Sequence, residues 1–466
     1  MTGRRRTSTR STFLPRSLRT TGPFRFTRAF RFTGSVRAAA LSAGAVAACA
    51  SLTVGCGVVP GTSAGSGDDP IVVMTWAPEG TSATNKPGMP AFARAYARWV
   101  NANGGLNGRK LEVLTCNDHN DTVSAAKCAR RAVKENAVAV VGSYSQHSDA
   151  FFPYLEGDGI AYIGGYGVTN AEFTSPLSYP VNGGQPSLLA GLGKELAATC
   201  GPVTLVRPDT LAGDALPTML NAGLKAGGHK AAEDQRAPED STEYATQSEA
   251  ALENSTGGKP GNGAGGGTGG RSGDEKGCVV PALGDRTSTF MDSFRRTRTD
   301  YPAVNTATVL GSVDQTVVDA AGGGSGPYEG AYVTGWYPVA SDPAWAPMKK
   351  VISEQAFSDT RIDAGDTGVQ TTWIAYSVFR QAVESLDGGE VTSRSVRGAL
   401  DDGLKIDTGG LTPALRWQFS DRLASIGFPR LVNADVTLQA VQKGRLVAAR
   451  KGFVDVTKTL EQADVD

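Results

Sequence analysis

The sequence predicts an α/β protein of two Rossmann-like lobes, each with a mostly parallel sheet, and three observations predict it. Residues 70–118 run strand, loop, helix, turn, strand, which is one βαβ unit. β-Branched runs then alternate with helical patterns along the chain, as in a parallel sheet flanked by helices. The alternation restarts after a crossing near residues 181–184, which gives a second lobe.

In the first unit, residues 71–74 are a β-branched run suited to a buried parallel strand, and Phe92, Tyr96, Trp99 and Val100 recur at helical spacing. Asn103, Gly104 and Gly105 stop that helix, because glycine just past a helix takes the left-handed conformation that a Cβ resists. Asn107 and Gly108 add a tight turn before a strand over 111–114. Residues 121–135 are helical, 137–141 form a buried strand, and 142–147 are the loop at its carboxyl end. The strand 160–163 ends in a second such loop, 164–170. Ligands of open parallel sheets gather outside the carboxyl ends of strands, so these two loops are the candidate site.

Beyond the crossing, helices are expected over 186–198, 217–226 and 287–298, and strands over 203–206, 278–282 and 307–310. Residues 254–277, crowded with Gly, Ser and Thr, bury too little surface to offset their ordering entropy and read as a disordered insertion. Neither they nor the glycines at 322–326 form a phosphate loop, since no Gly-Lys-Ser/Thr follows. Helices over 345–356 and 372–386 come next, the latter with Trp373, Tyr376, Phe379, Val383 and Leu386 on one face, as core packing requires. Strands at 415–419, 436–441 and 446–449 close the chain, the last two joined by a hairpin at Lys443 and Gly444.

The stretch Asn101-Ala-Asn-Gly-Gly-Leu-Asn-Gly-Arg-Lys110, with a strand after it leading to Asn117 and Asp118, resembles the N-x-x-GG-x-NGR turn of type I solute-binding proteins, the leucine-binding-protein-like family of branched-chain amino acid ABC importers. The resemblance runs from Pro70 to the end of the chain. It implies the type I periplasmic-binding-protein fold, with two lobes joined by a three-strand hinge: residues 70–182 and 332–424 as lobe one, 183–331 and 425–466 as lobe two, and 332–338 as the strand that returns to lobe one. It also implies a ligand carboxylate held by a Ser/Thr hydroxyl and exposed amides, which places Ser145 or Gln146 in the first loop and the Val168 backbone with Thr169 in the second. Amino-acid-binding relatives have an aromatic before a lobe-two Tyr-Gly turn, where this chain has Ala212-Gly213, and an acid against the ligand ammonium, for which Asp314 or Asp285 could substitute. Trp76 and Trp336 are candidate cleft aromatics, with core or hinge packing equally open.

Composition and charge narrow the function. Residues 1–37 hold ten Arg and no acid, leaving 36 basic against 46 acidic residues beyond them, so the processed chain is acidic and lacks the basic stripe of a nucleic-acid binder. The basic start, the small apolar run 38–54 and Cys56 form a secretory signal with a lipobox-like end. Cys56 is the expected lipidation site, Cys49 the alternative, and 57–69 a flexible tether. The expected location is extracytoplasmic, lipid-anchored to the outer face of the cell membrane.

Four cysteines remain, enough for two disulfides in an exported chain. Cys116 ends a strand beside the helix that carries Cys128, while Cys200 and Cys278 start two lobe-two strands, which pairs Cys116 with Cys128 and Cys200 with Cys278. Zinc is not expected, because there is no Cys-x-x-Cys and His119, His147 and His229 are scattered. No Gly-x-Ser-x-Gly elbow joins a strand to a helix, and no cofactor is implied. The resemblance therefore implies binding without catalysis: a cleft that captures a small, amino-acid-like ligand and hands it to an ABC permease, or alternatively signals to a membrane receptor.

Overall fold

The computed structural model describes residues 69–463 apart from 83, 239, 259–275 and 426. Cys49, Cys56, the tether up to residue 68 and most of the Gly-rich insertion lie outside the described residues.

The first lobe begins β1 (Ile71–Trp76), α1 (Gly88–Ala102), β2 (Leu111–Cys116), α2 (Thr122–Lys134) and β3 (Ala139–Val141). It continues with α3 (Ser148–Asp158), β4 (Ala161–Ile163), α4 (Ala171–Thr174) and β5 (Ser178–Tyr179). The strands pair in parallel in the order β2-β1-β3-β4-β5. Successive side chains of β1 alternate between two helical layers, with Ile71 and Val73 in one core and Met74 and Trp76 in the other. A strand buried on both faces must read as a continuous apolar run, which is why it shows in the sequence.

The turn after α1 has the geometry its residues suggest. The Gly105 amide closes on the Val100 carbonyl at 2.9 Å, and Gly105 has φ +78°, where a Cβ would lie 2.2 Å from the Arg109 carbonyl oxygen. Leu106 and Arg109 then exchange backbone hydrogen bonds around Asn107 (φ 49°) and Gly108 (φ 79°). The Asn101 side chain accepts from the Leu111 amide and donates to its carbonyl, which fixes where β2 starts.

The second lobe holds α5 (Gly184–Thr199), β6 (Val203–Pro208), α6 (Leu211–Asp214), α7 (Leu216–Ala226), β7 (Glu233–Ala237), α8 (Ala245–Thr256) and β8 (Cys278–Pro281). Then come α9 (Thr287–Thr297), β9 (Asn305–Val309), α10 (Gln315–Ala320) and β10 (Tyr332–Gly335). Helices α11 (Ala346–Gln355), α12 (Thr367–Glu384) and α13 (Ser393–Asp401) follow; α12 packs on α1 and β3, and α13 on α12 and β4 of the first lobe. The chain closes with β11 (Asp435–Gln442), β12 (Arg445–Ala448), β13 (Val454–Asp455) and α14 (Thr457–Glu461). The second sheet runs β12-β11-β10-β9-β8-β6-β7, parallel from β10 to β7 and antiparallel at β11 and β12, with β13 paired to β11.

Several expectations need correction. Tyr332–Gly335 is a second-sheet strand paired with β9 and β11, so the chain returns to the first lobe only at 336–338. Residues 415–419 form no strand: Leu415 makes a single bridge to Ile406, and Trp417 is buried edge-on against Tyr179. Residues 254–256, expected in the disordered insertion, are the last turn of α8. Elements β7 and α8 were not expected, because they carry polar residues and little apolar periodicity; α13 was not expected either, although Val396 and Leu400 mark its buried face.

Three crossings join the lobes, and one residue ties them. The Tyr337 hydroxyl accepts from Asn182 Nδ2 at 2.8 Å and lies 3.1 Å from Thr371 Oγ1, while its carbonyl accepts from Thr437 Oγ1 at 2.8 Å and Gln439 Nε2 at 2.9 Å. Asn433 Nδ2 donates to the Val181 carbonyl at 3.2 Å, linking the first crossing to the third.

Both disulfides form as expected, with Cα separations of 5.7 Å for Cys116–Cys128 and 5.8 Å for Cys200–Cys278. The second closes 78 residues and the first only 12. By the chain-entropy account they contribute about 4 and about 3 kcal/mol respectively. Urea unfolding of the Cys200→Ala/Cys278→Ala and Cys116→Ala/Cys128→Ala variants should therefore show the larger loss for the first pair; an equal or reversed order contradicts the entropic account.

Candidate functional site

The parallel strands of both sheets end at one gap, and the loops that follow them line it. From the first lobe come Thr84 and Lys86 after β1, Tyr144, Gln146 and His147 after β3, and Tyr166, Val168 and Thr169 after β4. The second lobe supplies Thr210 after β6, Asp285 after β8, residues 309–312 at and after β9, and Trp336 after β10. The cavity they line is about 280 Å³. A second chamber of about 610 Å³ shares Gln146, Val168, Thr169 and Gln185 with it and is walled by Phe173, Leu189, Leu216, Met219 and Phe428.

Aromatic rings make the floor of the smaller chamber. Tyr166 sits edge-on to Tyr144 with centroids 5.1 Å apart and edge-on to Trp336 at 5.2 Å. Trp336 is pinned by its indole N–H, which donates to the Gly184 carbonyl at 2.9 Å. Gly184, at φ +59°, leaves no room for a Cβ, which would lie 2.1 Å from the Phe173 ring. The Tyr144 hydroxyl accepts from Gln146 Nε2 at 3.0 Å, and burial pushes its pKa up to about 12. The Tyr166 hydroxyl is buried, has no hydrogen-bond partner, and burial raises its pKa. A buried hydroxyl without a partner carries a desolvation cost of about 1–3 kcal/mol, which a ligand group could relieve.

Charge gathers where the lobes meet. Lys86 Nζ lies 3.7 Å from Asp366 and 5.7 Å from the Tyr166 ring centre. Burial opposes its charge, but Tyr166, Asp366, Asp314 and Asp285 outweigh that and hold the ammonium above its ordinary pKa. Asp314 caps α10 through the Val317 amide at 3.0 Å and also accepts from the Thr367 amide at 3.1 Å and hydroxyl at 3.0 Å, so it joins the start of α10 to the start of α12. Burial and the neighbouring Asp366 raise its pKa. Two further bonds cross between the lobes: Arg286 to the Ser82 carbonyl at 3.2 Å and Thr316 to Asp363 at 2.8 Å.

Of the residues expected in the site, Gln146, Val168, Thr169, Asp285 and Trp336 line the cavity. Ser145 does not: it is buried beneath the loop, where its hydroxyl accepts from the His147 amide at 3.2 Å. Asp314 is buried in the clamp between the lobes instead of facing the cavity. Trp76 lies in the core against Phe151 and Tyr162, because an even-numbered position of β1 faces α2 and α3. Sequence reasoning missed Lys86, Tyr144, Tyr166 and Gln185. The two tyrosines stand within the loops already singled out, so an aromatic beside glycine at a strand's carboxyl end was the available signal. Among the described residues no group of three or more His, Cys, Asp or Glu is placed to hold a metal ion.

Asp314→Ala removes a helix cap and two interlobe acceptor contacts, which should cost about 2–4 kcal/mol in urea unfolding. A loss below about 0.5 kcal/mol, the range of an ordinary surface substitution, would show that the clamp contributes nothing.

Comparison with known proteins places these features in a wider group. A family model described as periplasmic binding protein matches residues 72–423. Among solved structures, a solute-binding protein of an ABC transporter from Rhodopseudomonas palustris BisB5, in complex with 3,4-dihydroxybenzoic acid, is similar with a TM-score of 0.64 at 14% identity, covering 83% of this chain and 98% of that one. A possible leucine/isoleucine/valine-binding protein from Rhodopirellula baltica SH 1 gives 0.63 at 13% identity, covering 82% and 97%. A fatty acid ABC transporter substrate-binding protein from Thermomonospora curvata gives 0.62 at 14%, covering 85% and 95%. At these identities the likeness is one of fold. No curated protein matches the sequence significantly.

Proposed function

Because the chain belongs to the periplasmic-binding-protein family, a family of solute-binding proteins of the ABC transporter type, we propose that it captures a small organic solute in the interlobe cleft and delivers it to an ABC permease. The observation that carries the reading is the cavity at the carboxyl ends of both sheets, with the partnerless Tyr166 hydroxyl in its wall. A site that presents hydrogen-bonding groups and aromatic faces from two lobes suits binding and release. Solved relatives carry names that speak of branched-chain amino acids, fatty acids and an aromatic acid, which supports the solute class more than any one compound. The amino-acid-like ligand implied by the sequence belongs to that class.

The mechanism is domain closure. A solute seated on the first-lobe loops meets Asp285 and Ser312 only when the second lobe swings over it, so its differential affinity shifts the population toward the closed form. The permease then recognises the closed surface. Lipidation at Cys56 tethers the receptor beside that permease and raises the effective concentration of the pair. No step in this cycle makes or breaks a covalent bond.

A thermal-shift screen of the protein against amino acids, amides, organic acids and short peptides tests the reading. A solute at about a hundred times its dissociation constant stabilises the fold by about 2.7 kcal/mol. Gln146→Ala, which alters both chambers, should weaken any hit about tenfold while leaving the unliganded melting point near that of the parent. Hits indifferent to Gln146 would place binding outside the cleft.

A further inference from the structure

The loop after β4 aims three successive amides and a hydroxyl at one point, and the chain fills that point itself. Glu172 accepts from the Gly167 amide at 3.0 Å, the Val168 amide at 3.0 Å, the Thr169 amide at 3.1 Å and the Thr169 hydroxyl at 2.9 Å. Glu172 is only 2% exposed. Val168 and Thr169 are the groups that the sequence resemblance assigns to a solute carboxylate, and all the donors counted here already end on an internal one. A second carboxylate brought to the same donors would meet the buried Glu172 carboxylate at hydrogen-bond range, which is unfavourable for two like charges.

The cationic position is filled too. Lys86 stands over the Tyr166 ring with Asp366 beside it and Asp314 and Asp285 near, which is where an acid-lined cleft would hold a solute ammonium. An incoming cation would have to displace Lys86 from those carboxylates. What the chain leaves open carries no ready anion or cation partner at those two positions: the Tyr166 hydroxyl and His147 Nε2, both buried without a partner, the amides of Gln146 and Gln185, and the apolar wall of the second chamber at Phe173, Leu189 and Met219, with Asp149 and Asp214 elsewhere in its lining.

We propose that the solute is an uncharged amphipathic molecule, with a hydrogen-bonding head against Tyr166, Gln146 and Gln185 and an apolar body in the second chamber, and that Glu172 and Lys86 are specificity-determining residues occupying the positions a zwitterion would need. This inference rests on the solute-receptor reading above and narrows it. The volumes agree, since the two chambers together exceed what a single small amino acid fills.

The test uses matched probes that differ in charge: leucine and N-acetyl-leucinamide, phenylacetate and phenylacetamide, hexanoate and hexanamide, each titrated against the full chain by thermal shift and calorimetry. The uncharged member of at least one pair should bind at least about tenfold more tightly than its charged counterpart, and Tyr166→Phe should weaken it by about tenfold. A charged member that binds as tightly and is weakened equally by Tyr166→Phe overturns the inference while leaving the solute-receptor reading intact. Uncharged hits that ignore both Tyr166→Phe and Gln146→Ala overturn the use of this cleft. Where no probe binds the parent protein, Glu172→Gln decides: it keeps the shape and removes the charge, so phenylacetate or hexanoate should now bind, and a variant still indifferent to both overturns the role of Glu172.

Discussion

Tyr337 ties the crossings between the lobes, and the rest of the molecule depends on that tie. Its hydroxyl reaches Asn182 on the first crossing and Thr371 on α12, and its carbonyl takes hydrogen bonds from Thr437 and Gln439 on the strand that follows the third. Three segments held at one buried residue restrict the lobes to movement about a common line. The same tie fixes Trp336, its neighbour, in the cavity wall. Hinge and site are therefore adjacent in the chain, and a solute that touches Trp336 acts close to the axis about which the lobes turn.

The cleft follows a consistent electrostatic plan. Buried charge is tolerated only when paired or hydrogen-bonded, and each charge near the cavity meets that condition internally. Glu172 ends on three amides and a hydroxyl, Lys86 on a group of aspartates, and Asp314 on the starts of two helices. The Tyr166 hydroxyl and His147 Nε2, both in the cavity lining, are buried without a hydrogen-bond partner. That contrast separates the parts of the cleft that hold the lobes from the part open to a solute.

Much of this was readable from the sequence, for physical reasons. Parallel strands buried on both faces leave continuous β-branched runs, and the turn at 103–108 leaves glycine and asparagine where φ is positive. The disulfide pairing followed from strand order, because β6 and β8 lie side by side. The edge strand β7, with sequence Glu-Asp-Gln-Arg-Ala, and the polar helix α8 leave no such trace, since half-exposed elements need little apolar periodicity. In the site, the loops were identifiable and the orientation of their side chains was not. Ser145 and Gln146 are neighbours, yet one is buried and the other lines the cavity; Trp76 ends β1 and Trp336 follows β10, yet only the second reaches the cleft. Which side chain faces inward depends on loop dihedrals that tertiary contacts set. The internal partner of the Val168 and Thr169 amides was hidden for the same reason: Glu172 reads as an ordinary helix-start acid until its carboxylate is seen turned back on the loop.

The central claim is that a solute bound between the lobes closes them. Spin labels at Asp149 and Thr218, on opposite walls of the larger chamber, would report that movement by pulsed electron resonance. With the best-binding probe at saturation, the account predicts that the interlabel distance shortens and its distribution narrows. An unchanged distribution with the probe bound would contradict it, and would leave the cleft as a rigid pocket between lobes that do not move.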